Sequence, residues 1–268
     1  MSGTVAVTRP AAGIEMMRAS FFGHAFSAHR HDTYGIGLTT LGVQAFNYRG
    51  ETEQSTCGHA FVLHPDEMHD GRAGDARGFG YQIAYIEPAL IFAASGGRGL
   101  PFVRAPVVDD VRFKRAVAGL LAAGRDLGDE VAAMCGIAEL TDALWRVAGV
   151  PRTGETRLRL AGLYAVRDAL RASKSERITA AELETISDLS RWELARQFRR
   201  AFGVSPYRFQ LMRRLERARK QLAAGAQLAD TAVDCGFSDQ AHFTRQFHNA
   251  YGMSPGRWRS LDRSAAAS

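Results

Sequence analysis

The sequence has little cysteine and no long apolar run. Its 268 residues include three cysteines, Cys57, Cys135 and Cys235, which are far apart and lack CxxC spacing. This pattern indicates neither a disulfide framework nor a zinc knuckle. No stretch reaches the roughly 18 apolar residues of a membrane span, and residues 1–10 lack the basic start and apolar run of a secretory signal. These absences predict a cytoplasmic protein that does not contact a membrane.

The chain also lacks the short motifs of common enzymes. It contains no P-loop, no GxGxxG, no GxSxG and no HExxH. The glycine cluster at residues 96–99 has no flanking strand and helix patterns of the kind that a phosphate-binding loop needs, so a flexible turn is predicted there. We therefore expect a protein that is not an enzyme and needs no cofactor.

What the chain does contain is an internal repeat. Leu-Ala-Arg-Gln-Phe at 194–198 leads to Gly-Val-Ser-Pro at 203–206, and Phe-Thr-Arg-Gln-Phe at 243–247 leads to Gly-Met-Ser-Pro at 252–255. The second copy follows the first by 49 residues. Two copies are too few for a solenoid, which needs at least three units to bury a continuous core. The repeat therefore indicates a helical module that has been duplicated.

Each copy carries the signals that begin and end a helix. Ser190 and Ser238 stand at N-cap positions before a periodic apolar pattern. Gly203 and Gly252 stand where a left-handed C-cap would end the helix. A Ser-Pro start after the first of these glycines predicts a further long helix over 206–224.

A short helical pattern and a tight turn precede both copies. Helix-turn-helix units are therefore predicted at about 179–201 and 228–250. The turn of the second unit contains Gly236, and the first unit has Asp188 at the same position. Aspartate tolerates a left-handed backbone, so the geometry of the turn is expected to survive.

The basic residues are concentrated in the segment that holds the repeat. Residues 151–268 contain 21 Lys and Arg against 12 Asp and Glu, whereas residues 1–150 contain 13 against 16. The exposed sides of the two repeat helices carry Arg196 and Arg245 at matching positions. This distribution favours nucleic acid as the partner, because basic side chains neutralise phosphates.

Residues 157–262 resemble the DNA-binding domain of the AraC/XylS family of bacterial transcription regulators. The resemblance is carried by the segment from Ala232 to Trp258, which contains the sequence Gly-Phe-Ser-Asp-Gln-Ala-His-Phe-Thr-Arg-Gln-Phe. It implies an all-α domain in which two helix-turn-helix units, joined by a long helix, read adjacent major grooves of double-stranded DNA. Two residues depart from the family pattern: Glu184 replaces a small residue, and Asp188 replaces glycine. Both add acidic charge to the first unit, so its grip on DNA is expected to be the weaker one.

The resemblance also implies which side chains contact DNA. Base edges would be contacted by Trp192, Arg196, Gln240, His242 and Arg245, because arginine suits guanine and glutamine suits adenine. Phosphates would be contacted by Arg191, Arg199, Arg200 and the hydroxyls of Ser190 and Ser238, and His248 completes the predicted DNA-binding set.

Residues 1–150 show a different pattern. Short β-rich runs bounded by glycines recur between residues 29 and 86 and predict an all-β sandwich or barrel. Helical patterns follow at 111–121 and 131–147, and such a helix pair is a natural dimerisation surface. The predicted domains are therefore a β domain at 1–105, a helical pair at 106–149, a linker at 150–156 and the DNA-binding domain at 157–262.

This front half resembles the cupin-like domain that binds the effector in many of these regulators. The resemblance is carried by His-Arg-His at 29–31, Tyr-Arg-Gly at 48–50 and His-Pro-Asp-Glu-Met-His at 64–69. It implies a barrel with a pocket for a small organic effector. The residues expected to line this pocket are His29, His31, Tyr34, Tyr48, Glu67 and His69.

A metal site is the alternative for the same histidines. His29 and His31 are two apart on a predicted strand, so they face the same way, and His69 could add a third ligand for a divalent ion. Enzymatic cupins usually add a glutamate shortly after the histidine pair, but the segment after His31 reads Asp-Thr-Tyr-Gly-Ile-Gly. His64 and His69 could instead satisfy hydrogen bonds in a loop. A metal-binding cupin sensor or enzyme fused to a DNA-binding module therefore stays open beside a metal-free pocket.

Together these patterns predict a sequence-specific transcription regulator, an activator, that is controlled by a small-molecule effector. Its expected partners are promoter DNA, the effector, RNA polymerase and a second copy of the chain. An architectural DNA-bending protein would explain the repeat, but it would leave the first 150 residues without a role.

Overall fold

The computed structural model describes residues 3–97, 99–123, 130–149, 158–173 and 178–266. A β domain comes first and a helical region follows it, which confirms the predicted fold class. The strands are β1 (Gly3–Ala11), β2 (Ile14–Phe21), β3 (His24–His29), β4 (Tyr34–Tyr48), β5 (Glu51–Thr56), β6 (Ala60–Leu63), β7 (His69–Ala73), β8 (Phe79–Ile86) and β9 (Val107–Val108). None of the described helices is long and apolar enough to cross a membrane.

Strand β4 belongs to both sheets of the β domain. Its first part pairs with β6 and β8 in a sheet of order β1-β2-β8-β4-β6-β9, and its last part pairs with β5 and β7 in a second sheet that also contains β3. Gly42 stands between the two parts with a φ of 63°, and a Cβ there would lie 2.1 Å from the carbonyl oxygen of Gly78. Only glycine fits this bend, which turns one strand into the link between two sheets.

The two faces of the first sheet contact different parts of the molecule, because successive side chains on a strand alternate. One face looks into the space between the sheets and carries Phe61, Leu63, Tyr81 and Ile83. The other face carries Tyr34, Ile36, Val62 and Ala84, and it is covered by helices α2 (Val111–Ala123) and α3 (Glu130–Ala148). The helix pair therefore buries one side of the barrel, and α1 (Pro88–Ala94) packs beside it.

The helical region contains two helix-turn-helix units joined by one long helix. Its described helices are α4 (Leu160–Ala172), α5 (Ala180–Ser187), α6 (Arg191–Phe202), α7 (Pro206–Ala223), α8 (Leu228–Asp234), α9 (Gln240–Tyr251) and α10 (Pro255–Ala266). Helices α5 and α6 form the first unit, and α8 and α9 form the second. The predicted linker, 150–156, and residue 157 lie outside the described residues.

The caps of the first unit follow the sequence signals. Ser190 caps α6 by accepting a hydrogen bond from the amide of Glu193 at 3.3 Å. Asp188 ends α5 in the left-handed conformation, with φ 51° and ψ 38°, so an aspartate occupies a turn position that favours glycine. Gly203 and Gly252 end α6 and α9 with φ values of 75° and 67°.

The predicted N-cap of the second unit was wrong by one residue. Asp239, and not Ser238, caps α9, because its carboxylate accepts from the amide of His242 at 2.6 Å. The Ser238 hydroxyl donates to the Asp239 carboxylate at 3.0 Å. A carboxylate is a strong cap and is favoured by the positive end of the helix dipole, so it takes the place of the neighbouring hydroxyl.

Helix α7 takes part in both cores of the helical region. Phe209 near its start packs with α4 and α6 in the core of the first unit. Leu211, Met212, Leu215 and Leu222 pack with α8 and α9 in the core of the second unit. The 18 residues of α7 span about 27 Å, which is similar to the distance between successive major grooves.

The helical region is docked on the β domain. The end of α9 meets β3, where the amides of Ser27 and Arg30 donate to the carbonyls of Gly252 and Asn249, both at 3.1 Å. Ion pairs also join helices to β-domain carboxylates, among them Arg171 with Glu87, Arg213 with Asp32, and Arg219 with Glu15. These contacts fix both helix-turn-helix units relative to the β domain.

Candidate functional site: an interdomain cavity and two exposed helices

A cavity of about 810 Å³ lies between the β domain and the helical region. Its apolar wall on the β side includes Val7, Met17, Phe46, Phe61, Tyr81 and Ile83. The helical region adds Met212 from α7, Tyr251 from α9 and Trp258 from α10. This volume lies within the range of small-molecule pockets, and the wall is mainly apolar as in such pockets.

Three histidines, His29, His31 and His69, lie together on the cavity wall and are called the histidine trio below. Their ring centroids lie 4.3 Å apart for His29 and His69, 4.8 Å for His31 and His69, and 6.3 Å for His29 and His31. All three side chains are buried. Two neighbouring strands bring them together, because His29 pairs with His69 in the register of β3 and β7.

Each member of the histidine trio is oriented by a backbone carbonyl of its own segment. Nδ1 lies 2.8 Å, 2.9 Å and 3.0 Å from the carbonyl oxygens of Ser27, Thr33 and Glu67, respectively. Burial, which removes the charged form from water, and charge repulsion within the trio together lower the pKa of all three imidazoles to about 3. The rings are therefore neutral near pH 7.

The histidine trio does not amount to a metal site in this fold. Within the described residues, no group of three or more His, Cys, Asp or Glu is arranged to hold a metal ion. The carboxylate next to the trio in sequence, Asp32, is engaged by Arg213 at 2.7 Å. The described residues thus give no support to the metal-binding alternative.

The other predicted effector residues lie outside the large cavity. Tyr34 faces the helix pair, and its buried hydroxyl donates to the carbonyl of Pro101 at 2.8 Å. Tyr48 and Glu67 border a separate pocket of about 300 Å³, where Glu67 pairs with Arg49 at 3.2 Å. The expected single pocket is thus corrected: strand alternation turns Tyr34 to the opposite face, and the loop after β6 carries Glu67 away from the cavity.

Sequence reasoning missed the basic side of the cavity, which comes from α7. Arg213 and Arg219 line the cavity, but carboxylates of the β domain already pair with them. Arg217 donates one hydrogen bond to the carbonyl of Ser173 at 2.8 Å, and its buried Nη1 has no hydrogen-bond partner among the described residues. The signal was present in the sequence as arginines and a lysine at 213–220, but such a run reads equally well as a solvent-exposed or phosphate-binding face.

The predicted DNA-binding residues of the first unit lie on the exposed side of α6. Trp192 is 81% exposed, which is unusual for a large aromatic side chain. Arg191, Arg196, Arg199 and Arg200 are also exposed, and Ser190 precedes them at the cap. Acidic residues of the same unit engage Arg191 and Arg196: Arg191 pairs with Glu184 at 3.2 Å and Arg196 with Glu193 at 2.5 Å.

The predicted DNA-binding residues of the second unit lie in two different environments. Ser238, Gln240 and Arg245 are exposed, and half-buried His242 packs its ring against Phe237 with the centroids 5.6 Å apart. His248 lies in the last turn of α9, the end that docks on β3, and its charge contributes to the lowered pKa of His29. The structure therefore separates His248 from the others.

Helix α6 also touches the β domain. Arg199 donates to the Asp66 carboxylate at 3.1 Å, and Arg30 lies 3.5 Å from the same carboxylate. Gly203 at the end of α6 sits against Pro65 and Pro88, where a Cβ would lie 2.9 Å from the nearest proline carbon. An arginine expected to contact phosphate is thus held by the domain that carries the cavity.

Comparisons with known proteins agree with this architecture. Models of an "AraC-like ligand binding domain" and a "Helix-turn-helix domain" match residues 11–140 and 183–260. An uncharacterized HTH-type transcriptional regulator of Bacillus subtilis, YbfI, is 23% identical over 244 residues, which are 85% of this chain and 85% of YbfI.

Solved structures of ToxT from Vibrio cholerae share the fold. One, bound to (E)-4-(8-methylnaphthalen-1-yl)but-3-enoic acid, has a TM-score of 0.62 at 11% identity and covers 98% of this chain and 100% of its own. Another, with an unsaturated fatty acid bound, has a TM-score of 0.63 at 11% identity and covers 97% of this chain and 96% of its own.

A ligand-binding β domain joined to two helix-turn-helix units defines a class of transcription regulators. Both family models, and the likeness to an HTH-type regulator over 85% of the chain, point to one family within this class. The chain belongs to the AraC family.

Proposed function

We propose that the protein is a transcription activator that binds promoter DNA sequence-specifically and responds to a small-molecule effector in the interdomain cavity. The position of the cavity carries the proposal, because its walls come from the β domain and from helices α7, α9 and α10. A ligand there touches both parts of the molecule at once. Such a ligand changes the orientation of the DNA-reading units only if it binds one orientation more tightly than another. Because both parts of the molecule form the cavity wall, the affinity can depend on how they are oriented.

The effector is an apolar molecule with an acidic group. The cavity wall is mainly apolar, and the buried Nη1 of Arg217 is a donor that lacks a partner among the described residues. A carboxylate would accept from this guanidinium in a charge-assisted hydrogen bond. The ligands in both ToxT structures are also acids with apolar bodies, which supports the same chemistry for the related fold.

The remaining assignments follow the domain organisation. Residues 1–105 would bind the effector, 106–149 would dimerise, and 157–262 would bind DNA in the cytoplasm and contact RNA polymerase. Dimerisation through the helix pair is supported by three apolar side chains that α2 and α3 leave exposed: Val111, Val131 and Met134. The exposed Trp192 and Arg245 support base reading by both units.

DNA binding is tested with the DNA that lies upstream of the protein's own gene. We expect binding about a thousandfold tighter than to a shuffled sequence at the same salt concentration, because specific protein–DNA complexes exceed non-specific ones by at least about that margin. Equal affinity for both DNAs would favour an architectural DNA-bending protein.

Effector binding is tested with dodecanoate, a flexible acid that can adapt to the cavity. We expect dodecanoate to change the affinity for the upstream DNA, and Arg217→Gln to weaken dodecanoate binding about tenfold. Arg18→Gln removes an exposed arginine outside the cavity and serves as the matched control. Dodecanoate that binds equally well to both variants, or leaves DNA binding unchanged, contradicts this role for the cavity.

A further inference from the structure

The protons of the histidine trio are fixed by the fold. Nδ1 of each ring faces a backbone carbonyl at 2.8–3.0 Å. A carbonyl oxygen can only accept a hydrogen bond, so each Nδ1 carries the proton. Nδ1 of His31 also lies 3.2 Å from the Thr33 hydroxyl, but the carbonyl of Thr33 is closer, at 2.9 Å, and it would repel a lone pair on this nitrogen. Since the rings are neutral, each Nε2 carries a lone pair and no proton, and it can only accept.

One of these acceptors has nothing to accept from. Nε2 of His31 is buried and has no hydrogen-bond partner among the described residues, and the side chain is more than nine-tenths buried on the cavity wall. A buried polar atom without a partner destabilises the fold unless a ligand or water satisfies it. His29 and His69 lie beside it with the same tautomer.

We infer that the histidine trio is a hydrogen-bond-acceptor site that takes a hydroxyl group of the effector, with Nε2 of His31 as the principal acceptor. The inference rests on the proposed function for the presence of an effector in the cavity. It adds that the effector carries an alcohol or phenol besides its acidic group. The acid and the hydroxyl use different residues, Arg217 and His31, so their contributions can be separated.

Other ligand groups fit the trio less well. A carboxylate, an ether or a ketone has no proton to donate, so the unpartnered acceptor nitrogen of His31 would repel it. An ammonium group needs a carboxylate nearby, but Asp32 is engaged by Arg213 and Asp70 by Asn47 and Arg72. A hydroxyl is a neutral donor that needs neither a counter-charge nor a proton from the imidazole.

The experiment compares two probes that differ in one hydrogen-bond donor, phenol and anisole. Both are small and apolar enough to enter an apolar cavity, but the methyl ether of anisole cannot donate. We expect the full chain to bind phenol about tenfold more tightly than anisole, as a single net hydrogen bond allows. His31→Phe is expected to bring the two affinities together. His24→Phe, at an exposed histidine outside the cavity, should leave the tenfold difference unchanged.

A second readout uses the unmodified chain, so it does not depend on whether His31→Phe folds. Phenol that donates to His31 shifts the Nε2 nitrogen resonance of that imidazole, whereas anisole leaves it in place. Both spectra are recorded at pH 7, where the ring is neutral.

The outcomes separate this inference from the proposed function. Equal binding of phenol and anisole in the cavity would refute the hydroxyl site while leaving the effector cavity intact. Binding of neither probe would overturn both. Zinc that binds stoichiometrically, blocks phenol and is lost in His31→Phe would replace the hydroxyl site with a metal site.

Discussion

Arg213 of α7 donates to the Asp32 carboxylate at 2.7 Å across the boundary between the helical region and the β domain. The two side chains are 14% and 5% exposed, so this ion pair lies almost out of water. The carboxylates of Asp32, Glu216 and Glu87 raise the pKa of Arg213 in spite of the desolvation that opposes its charge. Asp32 directly follows His31, so the anchor of α7 stands one residue from the histidine trio.

Replacing Asp32 should loosen this anchor. Asp32→Asn is expected to lower the free energy of unfolding by about 2 kcal/mol, because Arg213 loses a buried partner but keeps Glu87 and Glu216. The change is measured by urea denaturation. Amide exchange should also accelerate at Ser27 and Arg30, which donate across the same boundary.

A matched control is the exposed pair of Asp75 and Arg77, joined at 2.7 Å within the β domain. Asp75→Asn should change neither stability nor exchange at the boundary, because exposed pairs contribute little. Equal effects of the two substitutions would mean that the Asp32 pair does not hold the domains together.

Loss of Arg245 should relax sequence preference. Arg245→Ala is expected to weaken binding to the upstream DNA by about 1–3 kcal/mol and to reduce discrimination at one base pair. The measurement is fluorescence anisotropy with the upstream sequence and with a set of single-base variants. An equal loss on upstream and random DNA would assign Arg245 to phosphate contact instead, and Gln240→Ala gives an independent check on the same helix.

Replacing Arg199 and Arg200 with alanine should mainly change how DNA affinity depends on salt concentration. Removing two phosphate contacts is expected to reduce the slope of log K against log salt by about 2, with little change in sequence preference. Asp66→Asn should act in the opposite direction, because it releases Arg199 from the carboxylate that holds it at 3.1 Å. An unchanged slope in both variants would exclude Arg199 from the DNA interface.

Acid should destabilise the fold through the histidine trio. The pKa of each ring falls from an ordinary value of 6.5 to about 3 on folding. At pH values between these two, the unfolded chain therefore binds more protons than the folded chain. The free energy of unfolding therefore falls as the pH drops below 6.5, by up to about 1.4 kcal/mol per pH unit for each ring. Groups that also influence these rings are Asp70, Arg208 and His248.

Urea denaturation between pH 7.5 and 4.5 measures this slope. His31→Phe should flatten it by the contribution of one ring, and His24→Phe should not change it. A wild-type slope that survives His31→Phe unaltered would show that His31 titrates normally.

The acidic turn of the first unit should weaken DNA binding through its charge. The Asp188 side chain is 94% exposed and pairs with Arg159 at 2.9 Å. Asp188→Asn keeps a residue that tolerates the left-handed backbone and removes only the charge. We expect Asn and Gly at this position to tighten DNA binding equally, by roughly two- to fivefold, as the loss of one screened charge allows. Tighter binding by the glycine variant alone would trace the effect to backbone strain.

The helix-turn-helix units could be predicted from the sequence because their determinants are local. Ser190, Gly203 and Gly252 act within a few residues of themselves, and the apolar spacing of α6 and α9 fixes which side is buried. The prediction of the N-cap of α9 was wrong because two adjacent residues, Ser238 and Asp239, can both accept a hydrogen bond from a backbone amide of the helix.

The cavity could not be predicted because long-range pairing creates it. His29 meets His69 only through the register of β3 and β7, and strands β1–β3 were not anticipated from a segment with few turn signals. Tyr34 lies five residues from His29, yet its side chain faces the other side of the first sheet. The arginines of α7 contribute because the helical region docks on the barrel, which no local pattern in 206–224 indicates.

Helix α7 has three roles, and this constrains how the protein can evolve. The same helix forms part of the cavity wall, anchors the helical region to the β domain and spaces the two DNA-reading units. A chimera that exchanges only the N-terminal domain would therefore inherit mismatched partners for Arg213 and Arg219. New effector preferences are expected to arise by paired substitutions on β1, β2 and α7 rather than by trading whole domains.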